Sequence, residues 1–382
     1  MLKLLKKSVW NPIVNSARPK FCGRMLDHAL SKRWPVEKIH EPFKLEFSVP
    51  DSEGIPQNIK DTLERHGRIE FPAQYLVCIP GASTLGGLVK IPSGEFLAES
   101  DWRVRDFKLS DISRSRFRRH KLSLDGDCYY LDLLFSANYG HWLSDEMPKL
   151  ATALPFLPPA TQFIISDPIQ QFKLESLSAL GIGRDRLIPV KGYYETRCER
   201  LWHATPVNDM VWNAKMVRQV REALLQTHGQ GSEPSPERIF ISRNSVHMKR
   251  LANEDELLPL VESYGYKVIR PENHTLAQQV KIFSKARQVM GAYGAGLTNL
   301  LFCPPARLFE LQDSHFAPRP WFWKWATMLG HDYGSIMGPM TENLTDYLDT
   351  RFTIHPDPLK QYLESSLSAA DGRPGKQWMV SQ

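Results

Sequence analysis

Between residues 237 and 340, short apolar runs and amphipathic stretches alternate without a break, and that rhythm restricts the fold more than any other feature of the chain. Arg238 to Ser242 reads as a strand. Asn253 is placed to cap a helix that runs to about Tyr264, and Gly265 ends it. Lys267 to Arg270 is a second strand, and Thr275-Leu-Ala-Gln278 is a capping box opening a helix to Ala286. Gln288 to Ala292 is a third strand, and it runs into a glycine loop. Leu297 to Phe302 follows as a short helix, Leu308 to Leu311 as a strand, and Trp321 to Leu329 as a helix stopped by Gly330. Parallel strands need crossovers, and here the crossovers are helices. The pattern predicts an open Rossmann-like sheet, which binds ligands outside the carboxyl ends of its strands. The loops after Ser242, Arg270, Ala292 and Leu311 then surround one crevice.

Upstream the rhythm is weaker. The chain has 382 residues, against about 100–200 for one domain, so two domains are expected. Residues 1–70 carry Lys, Pro and Glu with short apolar runs only. Tyr75 to Ile79, Leu88 to Ile91 and Phe96-Leu97 predict a small antiparallel β region. From Cys128 the α/β pattern begins. Cys128 to Phe135, Thr161 to Ser166 and Leu187 to Val190 read as strands, and Ile169 to Leu180 and Asn213 to Thr227 as helices. Gly229-Gln-Gly-Ser-Glu-Pro-Ser-Pro236 is the best linker candidate. The expected division is residues 1–125 as an N-terminal extension with short β-strands, 126–230 as an N-terminal α/β domain, 237–345 as a C-terminal Rossmann-like ligand-binding domain and 346–382 as a C-terminal tail or helix.

Composition excludes several classes. Hydrophobic residues make up 42% and charged residues 24%, as in ordinary globular proteins. The net charge of +6 suits an anionic ligand or a membrane surface. It is too modest and dispersed for nucleic acid, and no zinc-finger spacing or RNP-like motif occurs. Five widely spaced cysteines without a Cys-x-x-Cys argue against a disulfide framework. No run of about 18 apolar residues exists. Met1 to Ile13 is charged like a signal peptide but lacks its apolar segment. It reads as a frayed terminus or as a short basic amphipathic anchor. A cytoplasmic location is expected, with a peripheral place on the inner membrane face as its extension.

Three motifs carry chemistry. Gly291-Ala-Tyr-Gly294-Ala-Gly296-Leu-Thr298-Asn299 joins a buried strand to a helix start. Small residues let backbone approach a ligand, and amides at a helix N-terminus suit a diphosphate. Tight strand–helix packing would use the same residues. Ile241-Ser-Arg243, followed by Lys249, Arg250, Asn253 and Glu254, puts guanidinium groups beside the same crevice. Guanidinium binds phosphate oxygens bidentately and can neutralise a leaving diphosphate. A solvated basic loop is the plainer reading. Asn138-Tyr-Gly-His141-Trp142-Leu-Ser-Asp145-Glu146-Met-Pro148 would set His141 and Asp145 on one helix face. Either can take a proton, or the pair simply pins a helix end. Glu310, read as the end of its strand, is a candidate for the ribose hydroxyls or an ordinary strand-end residue. Trp321, Phe322, Trp323 and Trp325 read mainly as helix core. Histidine spacing offers no metal site.

Together these motifs resemble glycosyltransferase family 61, whose bacterial branch is associated with capsular polysaccharide biosynthesis. The resemblance is carried by Asn138 to Leu150, Leu180 to Ile188, Ile241 to Glu256 and Val289 to Pro305, within residues 125–340. It implies two Rossmann-like domains facing a cleft, the GT-B type, with the small β-rich extension added at the N-terminus. It implies inverting transfer of a hexosyl or pentosyl group from a nucleotide-sugar donor, expected to be a uridine diphosphate sugar, to a glycan or lipid-linked acceptor. No cofactor or dedicated metal is implied. Arg243, Arg250 and Lys249 fall on the basic positions of the family motif, and Tyr293, Gly294, Ala295, Gly296, Leu297, Thr298 and Asn299 on its donor loop. His141, Asp145 and Glu146 fall on the motif across the cleft. One position departs, because the family loop usually has histidine where this chain has Tyr293. A phenol donates one hydrogen bond but neither carries an imidazolium charge nor exchanges a proton near neutral pH. The alternative reading is therefore a nucleotide-sugar-binding member impaired in catalysis. A dinucleotide oxidoreductase is disfavoured, because no Gly-x-Gly-x-x-Gly follows a strand.

Overall fold

A computed structural model describes residues 21–22, 24–47, 57–97, 121–131, 136–191, 194–205, 212–230, 235–244, 250–315, 319–341, 351–368 and 378–380. The basic stretch Met1 to Ile13, Lys249 and the end of the Cys128–Phe135 run lie outside them. The chain forms two compact units. One comprises Met1–Phe43 with Phe71–Trp212, the other Lys44–Glu70 with Asn213–Gln382.

The strands in chain order are β1 (Phe21–Cys22), β2 (Val36–His40), β3 (Phe43–Glu46), β4 (Arg68–Phe71), β5 (Gln74–Pro80), β6 (Ser83–Leu85), β7 (Leu88–Lys90), β8 (Phe96–Leu97) and β9 (Lys121–Tyr130). They continue as β10 (Gln162–Ser166), β11 (Leu187–Val190), β12 (Glu195–Ala204), β13 (Arg238–Ile241), β14 (Lys267–Ile269), β15 (Gln288–Ala292), β16 (Arg307–Asp313), β17 (Asp332–Gly338) and β18 (Trp378–Val380).

The first unit holds one mixed sheet in the order β1-β8-β7-β6-β12-β9-β10-β11, with β5 pairing β12 and β2. Strands β12, β9, β10 and β11 are mutually parallel, while β5 and β6 run antiparallel to β12. The short strands of residues 74–97 thus share a sheet with the α/β strands. The ten-residue β12 escapes the sequence pattern because its outer positions are Glu195, Arg197, Glu199 and Arg200. An irregularity between Cys198 and Arg200 also shifts its alternation by one.

In the second unit the sheet order is β14-β13-β15-β16-β17-β18, and every pairing is parallel. The first strand in sequence lies between the second and the third. The crossovers from β13 to β14 and from β14 to β15 run in opposite directions, so right-handed connections put their helices on opposite faces of the sheet. One face buries Phe240, Met290 and Phe309 against Leu257 and Val261 of helix Glu254–Ser263 and Leu359 and Leu363 of helix Pro356–Ser368. Each such side chain contributes about 1.5–3 kcal/mol of transfer free energy. Helices Ala214–His228, Leu276–Phe283 and Pro320–Leu329 pack with the helix Ala295–Phe302.

Local signals explain the boundaries. Thr275 accepts from the Gln278 amide and Gln278 returns a bond to the Thr275 amide, which is the expected capping box. Gly265 (φ 79°) and Gly330 (φ 81°) close their helices in the left-handed region. Asn253 precedes its helix as expected but does not cap it. Its amide exchanges two hydrogen bonds with the backbone of Ile354 instead, tying the C-terminal segment down.

Candidate functional site

The strand order places a topological switch point between β13 and β15, where the connections diverge and leave a crevice at the carboxyl ends. Residues following those two strands build the candidate site.

Ser242 and Arg243 follow β13. Glu254, at the start of the next helix and 2% exposed, accepts from Ser242 Oγ at 2.5 Å and from the Arg243 amide at 3.1 and 3.2 Å. A carboxylate at a helix N-terminus also meets the positive end of the dipole. Burial pushes the Glu254 carboxyl up from its usual range, against the opposing pull of those two bonds. Its work is to hold the backbone that aims Arg243.

Two glycines, Gly291 within β15 and Gly294 just after it, are dictated by close approach. Gly291 sits in register with Ile241, and a Cβ there would lie 3.1 Å from Ile241 Cβ and its carbonyl oxygen. Gly294 has an extended backbone (φ 163°, ψ 165°) that any residue adopts. A Cβ at Gly294 would lie 2.6 Å from Cζ of Arg243 and collide with Nη1. The guanidinium therefore lies directly against the glycine backbone. The amides of Gly294, Ala295 and Gly296 precede the first bond of the Ala295–Phe302 helix, made by the Leu297 amide to the Gly294 carbonyl at 2.9 Å.

Arg250 and Arg319 complete the cluster. The Arg250 Cζ lies over the Tyr293 ring at 5.2 Å and the Arg319 Cζ over the same ring at 4.8 Å. Phe322 packs edge-on to Tyr293 at 5.4 Å. Burial, then Arg319 and Arg243, pull the Arg250 guanidinium down to about 10. Burial also lowers Arg243, opposed by Glu272 and Glu254. Arg319 is ion-paired with Asp313 at 2.8 Å, and its amide donates to Gln312 Oε1 at 3.0 Å.

Of the residues expected at the diphosphate, Arg243, Arg250, Tyr293 and Gly294 come together, with Ala295 and Gly296 beside them. Lys249 lies outside the described residues. Leu297, Thr298 and Asn299 are fully buried. Asn299 donates to Gln279 at 2.8 Å, tying the loop helix to its neighbour. Glu310 is the middle residue of β16, because the strand runs two residues beyond the expected Leu311. It is wholly buried and accepts from Tyr333 at 2.6 Å and Gln312 at 3.2 Å. Burial pushes its carboxyl up to about 8, opposed by Tyr333 and then by Arg319 and Arg250. Arg319 was not singled out from the sequence. Its signal was its place in the loop after Leu311, one residue before the Pro that opens the next helix.

His331 fixes the far end of the loop helix. Its Nδ1 accepts from the Ala306 amide at 3.1 Å, and its Nε2–H donates to the Leu300 carbonyl at 3.0 Å. Burial lowers the imidazole to about 4.

In the first unit a second group forms on the helix that starts at Tyr139. Asn138 caps it, accepting from the Gly140 amide at 2.8 Å. The turn Trp142–Glu146 is π-helical. Pro148 follows and has no N–H to close a normal turn, which favours the wider one. Such π turns frequently mark functional sites. His141 Nδ1 and Asp145 Oδ2 are 2.7 Å apart. Asp145 Oδ1 accepts from Trp212 Nε1 at 3.0 Å and from Ser144 Oγ at 2.9 Å. With both carboxylate oxygens engaged, Asp145 orients the imidazole and fixes the Nδ1–H tautomer, leaving Nε2 as the basic nitrogen. His141 is 20% exposed in its side chain and Asp145 9%. Glu146 is turned inward, fully buried and ion-paired with Lys149 at 3.1 Å.

Comparison with known proteins fits this chemistry. Residues 139–309 match the family model described as Glycosyltransferase 61. That span holds the His141–Asp145 pair, Arg243, Arg250 and the Tyr293–Asn299 loop, while Arg319 lies beyond it. Over 120 residues the chain is 30% identical to the EGF domain-specific O-linked N-acetylglucosamine transferase of Drosophila melanogaster, covering 30% of this chain and 23% of that protein. The chain thus spans about a quarter of that relative's length. Both findings support a glycosyltransferase. Among the described residues no helix is long and apolar enough to cross a membrane, and no group of three or more His, Cys, Asp or Glu side chains is placed to hold a metal ion.

Proposed function

We propose that this chain is an inverting glycosyltransferase of family 61 with the GT-B arrangement. It takes its sugar from a nucleoside diphosphate donor, with uridine diphosphate as the nucleotide. The observation that carries the reading is the contact between Gly294 and Arg243. The loop has no side chain where the guanidinium must lie, so a cation and the first amides of a helix share one spot at the switch point. A diphosphate satisfies both.

In the reaction an acceptor hydroxyl attacks the anomeric carbon from the face opposite the diphosphate. The new carbon–oxygen bond forms as the bond to phosphate breaks. Arg243, Arg250 and the amides of Gly294 to Gly296 hold the leaving group and absorb its developing charge. His141 Nε2 takes the acceptor proton, and Asp145 stabilises the imidazolium that results. His141 is preferred to Asp145 as base because the carboxylate already accepts from three donors. The acceptor is a glycan or lipid-linked hydroxyl in polysaccharide assembly. The relative's name makes the N-acetylglucosamine nucleotide the first donor to test.

The test is release of uridine diphosphate from uridine diphosphate N-acetylglucosamine and other sugar nucleotides by the purified chain. Release that disappears in His141→Ala supports the reading. Release unchanged in that variant removes His141 as base. Tyr293, seated under two guanidinium groups, favours one second reading, a nucleotide-sugar-binding protein without turnover. Tight binding with no release from any donor would select it.

A further inference from the structure

Arg250 and Arg319 both lie over the Tyr293 ring, Arg243 lies against the neighbouring Gly294, and Arg319 is the one of the three without a part in the reaction above. Arg319 is not a surface side chain. It is 8% exposed, held by Asp313 at 2.8 Å, with its amide anchored to Gln312 at 3.0 Å. Gln312 is fixed in turn by bonds from its Nε2 to Tyr333 at 2.8 Å and Ser335 at 3.0 Å. This buried network sets the start of helix Pro320–Leu329 and aims one cation at the face of Tyr293. Arg250, 4% exposed, reaches the same ring from the other strand end. The two cations repel each other, and both interact with the electron-rich face of the ring.

We propose that Tyr293 acts through the face of its ring rather than its hydroxyl, seating Arg250 and Arg319 so that Arg319 is a third guanidinium for the donor diphosphate. The inference rests on the donor-site reading above and extends it. Glu272 acts on Arg243, but three other carboxylates nearby oppose an anion less. Glu254 is engaged by Ser242 and the Arg243 amide, Asp313 is paired with Arg319, and Glu310 is largely protonated near neutral pH. Burial, and after it repulsion from Arg319 and Arg243, lowers Arg250, so a dianion among the three groups relieves an existing cost. Tyr293 is then a positioning residue, and Arg319 a binding residue.

The experiment is calorimetric titration of the full chain with uridine diphosphate and, separately, inorganic pyrophosphate. The variants are Tyr293→Phe, Tyr293→Leu and the double change Arg319→Gln with Asp313→Asn. The double change removes the charge without leaving a buried carboxylate unpaired. Thermal melts of each variant establish that it is folded. Tyr293→Phe should bind both ligands within about threefold of the parent, in line with a role for the ring face. Tyr293→Leu and the double variant should each bind about tenfold or more weakly. Equal loss in Tyr293→Phe and Tyr293→Leu would assign the role to the hydroxyl and overturn the inference. Parent-like affinity in the folded double variant would remove Arg319 from the site while the donor-site reading stood. Failure of the parent chain to bind either ligand would overturn both.

Discussion

Gly294→Ala separates a binding role from a structural one with a single methyl group. The backbone at Gly294 is extended, so alanine adopts it without strain. The added Cβ would lie 2.6 Å from Arg243 Cζ and 3.2 Å from Nε. Carbon atoms in comfortable contact stand about 3.5–4.0 Å apart, so the guanidinium must move by roughly 1 Å. The obstacle is the far end of a long side chain, which can swing aside while the fold stays intact. A displacement of that size breaks a charged hydrogen bond worth about 1.5–3 kcal/mol. Uridine diphosphate affinity should then fall by about 13- to 160-fold, with a melting temperature close to that of the parent. Gly291→Ala is the contrasting case. Its Cβ would press on Ile241 Cβ and the backbone oxygen at 3.1 Å, atoms that cannot swing away, so stability falls first. Calorimetry and a thermal melt on both variants read the difference. Parent-like affinity in Gly294→Ala would refute the placement of Arg243 against the bound diphosphate.

Other outcomes follow from the same geometry. His141→Ala should cut turnover by about 10²- to 10⁴-fold, the usual contribution of a general base, with uridine diphosphate affinity unchanged. Asp145→Asn should also slow turnover while leaving donor affinity intact, and full activity in it would move the proton transfer away from this pair. Burial lowers the folded His331 imidazole from its ordinary 6.5 to about 4. It therefore contributes stability above about pH 6.5 that is lost as pH falls toward 4, about 3 kcal/mol in total, and denaturant titrations of His331→Asn should lack that slope. Glu310 behaves oppositely, because burial raises its folded carboxyl from the ordinary 4.5 to about 8. Its charge costs stability increasingly from about pH 4.5 to 8, so Glu310→Gln should gain on the parent across that window in thermal melts.

Much of the second unit was legible because its signals are local. The Thr275–Gln278 capping box, the stops at Gly265 and Gly330 and the run Gln288–Ala292 each act within a few residues. The glycine loop and Arg243 were legible for the same reason, since each follows directly on a strand. What failed depends on distant partners. Asn253 has the right residue type for a cap, but Ile354, far along the chain, takes its side chain. By its sequence Glu310 ends a strand, yet pairing with β17 extends β16 to Asp313 and buries it. Strand β12 was hidden because its charged outer positions find partners elsewhere, as Arg200 does with Asp127 at 2.9 Å. The spacing of His141 and Asp145 puts them on one face, as the 2.7 Å contact between them shows, but the bond that Trp212 adds to the carboxylate comes from a residue far along the chain. Arg319 stayed unseen because its role depends on a ring that folding brings to it.

The measurement closest to the central claim is calorimetric titration of the purified chain with uridine diphosphate, with and without a chelator, repeated on Arg243→Ala. The account predicts binding that survives the chelator and weakens by about 1.5–3 kcal/mol in the variant. Binding that vanishes with the chelator, or that is equally tight in Arg243→Ala, would contradict an arginine-held donor diphosphate at the β13–β15 switch point.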